Sequence, residues 1–223
     1  MSFRRWLGAV LIALPGGHGR AADGPCGSVA CVNLVFDGDS ISAGWGASHG
    51  HGLDTRVESA LGGDVRLHNV AAGGRPVSDC LRLYPTLVSP LFDPSTPNNV
   101  IVFHAGDNDI LQGRDAPQIQ AAFTAYVAAA HRQGWKVVVS TELRRADFHP
   151  PRSTALADYN DGLRLNEAGA DAVVDFDADP RMTDMANRRD PALFSPDGLH
   201  PSDGGYEVLA GMLGPVVKRT AGR

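Results

Sequence analysis

The run Val32-Asn-Leu-Val-Phe-Asp-Gly-Asp-Ser40 decides the architecture. Its apolar residues are nearly continuous rather than alternating, so a strand over Val32–Asp37 is covered on both faces, as in a parallel sheet. Four more runs of this kind follow: Val65–Ala72, Asn99–Ala105, Lys136–Leu143 with its three consecutive valines, and the shorter Ala172–Phe176. Helical patterns separate them at about Leu53–Leu61, Val77–Val88, Pro117–Arg132, Thr154–Ala168 and Ser202–Lys218. Pro117 suits a first helical turn, and Gly134 and Gly169 suit C-terminal stops. Strands alternating with helices imply right-handed crossovers and a three-layer α/β/α sandwich. No internal repeat or low-complexity linker divides the chain, and 223 residues fit a single domain over residues 23–223.

In open parallel sheets, ligands bind beyond the carboxyl ends of the strands. The segments that follow the first three strands are Asp37-Gly38-Asp39-Ser40, Gly73-Gly74-Arg75 and Gly106-Asp107-Asn108-Asp109. All three are expected at one edge, together with Asp197-Gly198-Leu199-His200-Pro201 before the last helix. Ser40, after a strand and at the opening of a helix or turn, is either a helix N-cap or a nucleophile. Asp197, three residues before His200, can hold the imidazole Nδ1–H and leave Nε2 free to act as a general base. The backbone N–H groups of Ser40 and Gly74 and the side-chain amide of Asn108 would give three donors for a developing oxyanion. Four separate segments supply the groups that acyl transfer needs.

These blocks resemble those of the SGNH, or GDSL-like, hydrolase family. Phe36–Gly44 is similar to the nucleophile block, and Asn69–Gly74 to the block that donates the oxyanion glycine. Gly106–Asp109 is similar to the Gly-x-Asn-Asp block, and Asp197–Pro201 to the closing Asp-x-x-His block, all in the family's order. The resemblance implies a flavodoxin-like fold with a five-stranded parallel sheet. It also implies hydrolysis of carboxylic esters or thioesters through an acyl-enzyme, with no cofactor and no metal. The substrate would be a small-molecule, glycan or lipid ester. Many members carry an acidic or small polar residue and then Thr after the oxyanion glycine, whereas this chain has Arg75 and Pro76.

Two other activities use similar residues. Acyl transfer to an acceptor other than water needs the same triad. A metal-dependent phosphoesterase could draw on Asp37, Asp39, Asp107, Asn108, Asp109 and His200, but such sites usually carry Asp-x-His on the first strand, where this chain has Asp-Gly-Asp. Asp39 is expected to order its loop through backbone hydrogen bonds, and Asp37, Asp107 and Asp109 to do similar structural work. His68 and His104, inside strands, read as satisfied core groups. Arg181, Arg188 and Arg189 are placed to attract an anionic leaving group or to be solvated.

A formal charge of −5 gives no reason to expect nucleic acid, which favours a basic face. Arg4 and Arg5, the short apolar run Trp6–Leu14 and the small-residue segment Gly19–Ala22 follow the order of a secretory signal peptide over residues 1–22. That apolar run is too short to span a bilayer, which takes about 20 residues. A secreted or periplasmic protein is expected. In an oxidising compartment Cys26 and Cys31 could close a small ring and leave Cys80 as a buried free thiol.

Overall fold

A computed structural model of the protein describes residues 31–223; the expected leader and Cys26 lie outside them. The strands β1 (Val32–Gly38), β2 (Val65–Asn69), β3 (Asn99–His104), β4 (Lys136–Ser140) and β5 (Ala172–Val174) form a sheet in the order β2-β1-β3-β4-β5. Every pairing is parallel. The α-helices of the described residues are α1 (Leu53–Leu61), α2 (Val77–Leu87), α3 (Asp107–Leu111), α4 (Ala116–Gln133), α5 (Arg152–Arg164), α6 (Pro180–Thr183) and α7 (Asp203–Thr220). This is the flavodoxin-like strand order, which reverses between β1 and β3 and opens a crevice there at the carboxyl edge.

Successive strand residues point to opposite faces, and here both faces are covered. Val35, Ile101, Phe103, Val137 and Val139 pack with Tyr84 of α2, Phe123 and Tyr126 of α4, and Tyr159 of α5. Leu34, Phe36, Val100, Val102 and Val138 pack with Leu53 and Val57 of α1 and with Leu209, Leu213 and Val217 of α7. Helices on two sides explain why the central strands β1 and β3 are buried at every position. The edge strand β2 is half-buried throughout, and His68 lies on it rather than in the core.

Local chemistry sets the element ends. Asp115 caps α4 by accepting from Gln118 N, the Gln118 side chain accepts from Asp115 N in return, and Gly134 closes the helix at φ 101°. The helix expected over Thr154–Ala168 instead spans Arg152–Arg164. Asn166 turns left-handed at φ 53°, and its side-chain amide bonds both the N–H and the carbonyl of Ala170, so the chain leaves the helix before Gly169. The strand expected over Lys136–Leu143 stops at Ser140 because the Asn160 side chain takes both backbone groups of Glu142. Cys31 is disulfide-bonded, and Cys80 is a free, fully buried thiol.

Candidate active site

The strand register brings the loops together. Gly38 of β1 lies beside His104 of β3, and Phe36 lies beside Asn69 of β2. The chain segments after these strands emerge as neighbours at the carboxyl edge. Gly38 has φ 134°, and a Cβ there would lie 1.9 Å from the His104 carbonyl oxygen, so only glycine lets β1 end this close to β3. Asp39 N then donates to that carbonyl at 3.1 Å, and Asp39 Oδ1 accepts from Ile41 N at 2.9 Å. Ser40 stands in a series of turns, not at a helix start, with Ala43 N donating to Asp39 O and Trp45 N to Ser40 O.

His200 reaches Ser40 from the far end of the described chain. Its Nε2 lies 2.9 Å from Ser40 Oγ, and its Nδ1 lies 2.6 Å from Asp197 Oδ2. The other carboxylate oxygen of Asp197 accepts from Ser195 Oγ, Leu199 N and His200 N. Burial alone would push the Asp197 carboxyl up, but the bonds from His200, Leu199 and Ser195 outweigh it and hold the group well below the usual carboxylate range. Asp197 is consequently ionised beside an imidazole whose second nitrogen faces the serine.

Gly74 follows β2 at φ 75° with open space where a Cβ would stand. Asn69 ties this segment to the Ser40 loop: its Nδ2 donates to Ser42 O at 2.8 Å, and its Oδ1 accepts from Ala71 N. Asn108 occupies the first turn of α3, directly after β3. Its side-chain Nδ2 is buried and, among the described residues, has no hydrogen-bond partner. A buried unpaired donor is costly, and at this edge a substrate oxygen would satisfy it.

Beneath the loop lies a layer of buried charge. His104 Nδ1 is 2.8 Å from Ser140 Oγ, and its Nε2 is 3.2 Å from Glu142 Oε2. Asp39, His104 and Glu142 place donor atoms within 4.8 Å of one another, close enough to hold a metal ion. The histidine already supplies a cation: burial would lower its pKa, but Glu142 and Asp39 overcome that and raise it to about 9. Asp37 is held by Arg75 Nη1 and Tyr126 Oη, each at 2.8 Å. Asp107 pairs with Arg145 at 2.6 Å, and Asp109 accepts from Val77 N at 2.7 Å. Each of these carboxylates thus has its own structural partner. Arg75 is a partly buried cation whose Nη1 donates to both Asp37 and the Val70 carbonyl. Of the late arginines, Arg181 pairs with Asp179, and Arg188 is buried against Arg144 O and the Phe194 ring.

Two features escape a reading of the sequence. The His104–Glu142 pair was marked by ionisable residues on adjacent buried strand runs, which have to find each other. Trp45, 49% exposed, lies with its ring centroid 5.5 Å from that of His200.

Residues 36–208 match the GDSL-like Lipase/Acylhydrolase family. A lipolytic protein of the G-D-S-L family from Veillonella parvula is similar in structure, with TM-score 0.66, 23% identity, and coverage of 84% of this chain and 99% of that one. Esterase EstA from Pseudoalteromonas sp. gives TM-score 0.66 at 19% identity, covering 86% and 99%. The acetylxylan esterase Axe2 from Geobacillus stearothermophilus gives 0.63 at 18%, covering 86% and 94%. No curated protein sequence matches. At these identities the solved structures speak for the fold, while the match over most of the chain places this protein in the GDSL-like lipase/acylhydrolase family of carboxylic ester hydrolases.

Proposed function

We propose that the protein hydrolyses carboxylic esters or thioesters through an acyl-enzyme on Ser40. The observation that carries this reading is the unbroken line from Asp197 Oδ2 through both nitrogens of His200 to Ser40 Oγ, with links of 2.6 and 2.9 Å. His200 takes the Ser40 proton as the oxygen attacks the acyl carbon, and Asp197 holds the tautomer and stabilises the imidazolium. The N–H groups of Ser40 and Gly74 and the Asn108 Nδ2, unpartnered among the described residues, receive the negative charge. His200 then protonates the departing alcohol or thiol, and water repeats the cycle to release the acid. Ser40→Ala is expected to abolish both hydrolysis and covalent labelling by a fluorophosphonate while the protein stays folded. Full labelling of that variant would refute the assignment.

The proposed location is outside the cytoplasm. The leader-like segment over residues 1–22 supports it, as does the disulfide at Cys31, which an oxidising compartment maintains. N-terminal sequencing of protein recovered from medium or periplasm tests this; a mature chain that retains Met1 would count against export.

A further inference from the structure

Trp45 occupies an unusual position. Trp45, Leu165 and Met185 are the large apolar side chains left exposed among the described residues, and Trp45 alone of them stands beside the Ser40–His200 pair. Its backbone is fixed on both sides: its N–H donates to Ser40 O at 2.9 Å, and its carbonyl accepts from the buried Tyr206 hydroxyl at 2.8 Å. The indole lies directly on Gly73, where an added Cβ would fall 2.4 Å from Cζ2, and its other neighbour is the His200 ring at 5.5 Å and 46°. Among the described residues its Nε1–H has no protein partner. A rigid aromatic surface thus bridges the glycine loop and the imidazole, and half of it remains open to solvent.

The chemistry of the site tells which part of a substrate meets this surface. His200 Nε2 has to deliver its proton to the leaving oxygen, so that oxygen sits within hydrogen-bond reach of the imidazole. Whatever group the oxygen carries is then held beside His200 and over the indole. An aromatic face with a free N–H favours a flat ring with apolar C–H edges, and a ring bearing hydroxyls could also accept from Nε1. We propose that Trp45 is a specificity-determining platform for the leaving group, selecting esters of ring-bearing alcohols, whether aryl or glycosyl. This rests on the ester-hydrolase reading given above.

The test holds the acyl group constant. Steady-state kinetics on ethyl acetate, benzyl acetate and a monoacetylated methyl xyloside would be compared for the parent, Trp45→Phe and Trp45→Ala, with fluorophosphonate labelling of Ser40 in each preparation. In the Ala variant, kcat/KM for a ring-bearing ester relative to ethyl acetate is expected to fall roughly tenfold, mainly through KM, the scale of one aromatic contact. Trp45→Phe is expected to recover most of that ratio. Loss on the benzyl ester alone identifies an aryl alcohol, and loss on the xyloside alone a sugar. A parallel fall on all three esters, leaving the ratios unchanged, would make Trp45 a support for His200 and overturn the proposal. A parent that labels at Ser40 yet shows no preference for either ring-bearing ester would overturn the platform and leave the ester-hydrolase reading standing. A parent that neither labels nor hydrolyses any of the three would overturn both.

Discussion

Replacing His104 tests the buried charge under the Ser40 loop. The ring is wholly buried and faces Glu142, Asp39 and Asp107, which together raise its pKa from 6.5 to about 9. The folded pKa lies above the unfolded one. The stabilisation is therefore complete below about pH 6.5, declines across the window and is gone above about pH 9. At about 1.4 kcal/mol per pH unit, that interval is worth about 3 kcal/mol. The pKa values of Asp39 and Glu142 are raised as well, chiefly by burial, and those shifts act in the same direction, since the folded state holds protons that the unfolded chain releases. His104→Gln removes the cation that opposes the upward shift of Asp39 and Glu142, so those carboxyls are driven toward the neutral form. The loss at pH 6 is at most the roughly 3–5 kcal/mol of a broken buried pair. Urea unfolding of parent and variant at about pH 6, 7.5 and 9.5 reads both effects. The parent is expected to lose stability steadily across the series, and the variant to start lower. A parent whose stability is flat across that range would refute the charge assignment.

Three further outcomes are expected. Asn108→Ala should lower kcat by roughly 10²–10³ with little change in KM, because its amide acts on the transition state; an effect confined to KM would make it a ground-state contact. The pH–rate profile of the parent should fall on the acid side through one ionisation and hold a plateau above it, and Asp197→Asn should cut kcat on the order of 10⁴-fold by freeing the wrong tautomer. A parent profile with no acid-side fall would remove His200 as the base. Arg75→Ala leaves Asp37 buried with only Tyr126 and Gly38 N as partners and should cost roughly 3–5 kcal/mol in denaturant unfolding; a change below about 1 kcal/mol would mean that the pair is not structurally required.

The layers and the convergence of four loops were legible because they rest on periodicity and chain order. Near-continuous apolar runs mark strands covered twice, and that pattern survives interruptions such as Asn33, whose amide finds Asn99 Oδ1 and Leu91 O. Element ends were less legible, since they depend on partners distant in sequence: Asn160 claims Glu142, and Asn166 claims Ala170. The turn around Ser40 resembled a helix start because a Gly-Asp-Ser sequence serves either purpose. Trp45 was hidden for a different reason. Its position over Gly73 depends on a glycine 28 positions downstream, and no local pattern announces such a contact.

Ser40 and His200 are 160 positions apart, which makes timing a property of this protein. In the folded protein the two residues are held together where α7, which follows His200, packs on α1 and Tyr206 bonds to the carbonyls of Ile41 and Trp45. A nascent chain emerging N-terminus first can assemble β1 to β4 and the glycine loop with no base opposite the serine. On the proposed mechanism, such a chain is expected to be inactive until its last helix closes. A continuous ester assay run during refolding would time that closure, while the fluorescence of the buried Trp135 beside β4 follows the sheet and its helices as they gather.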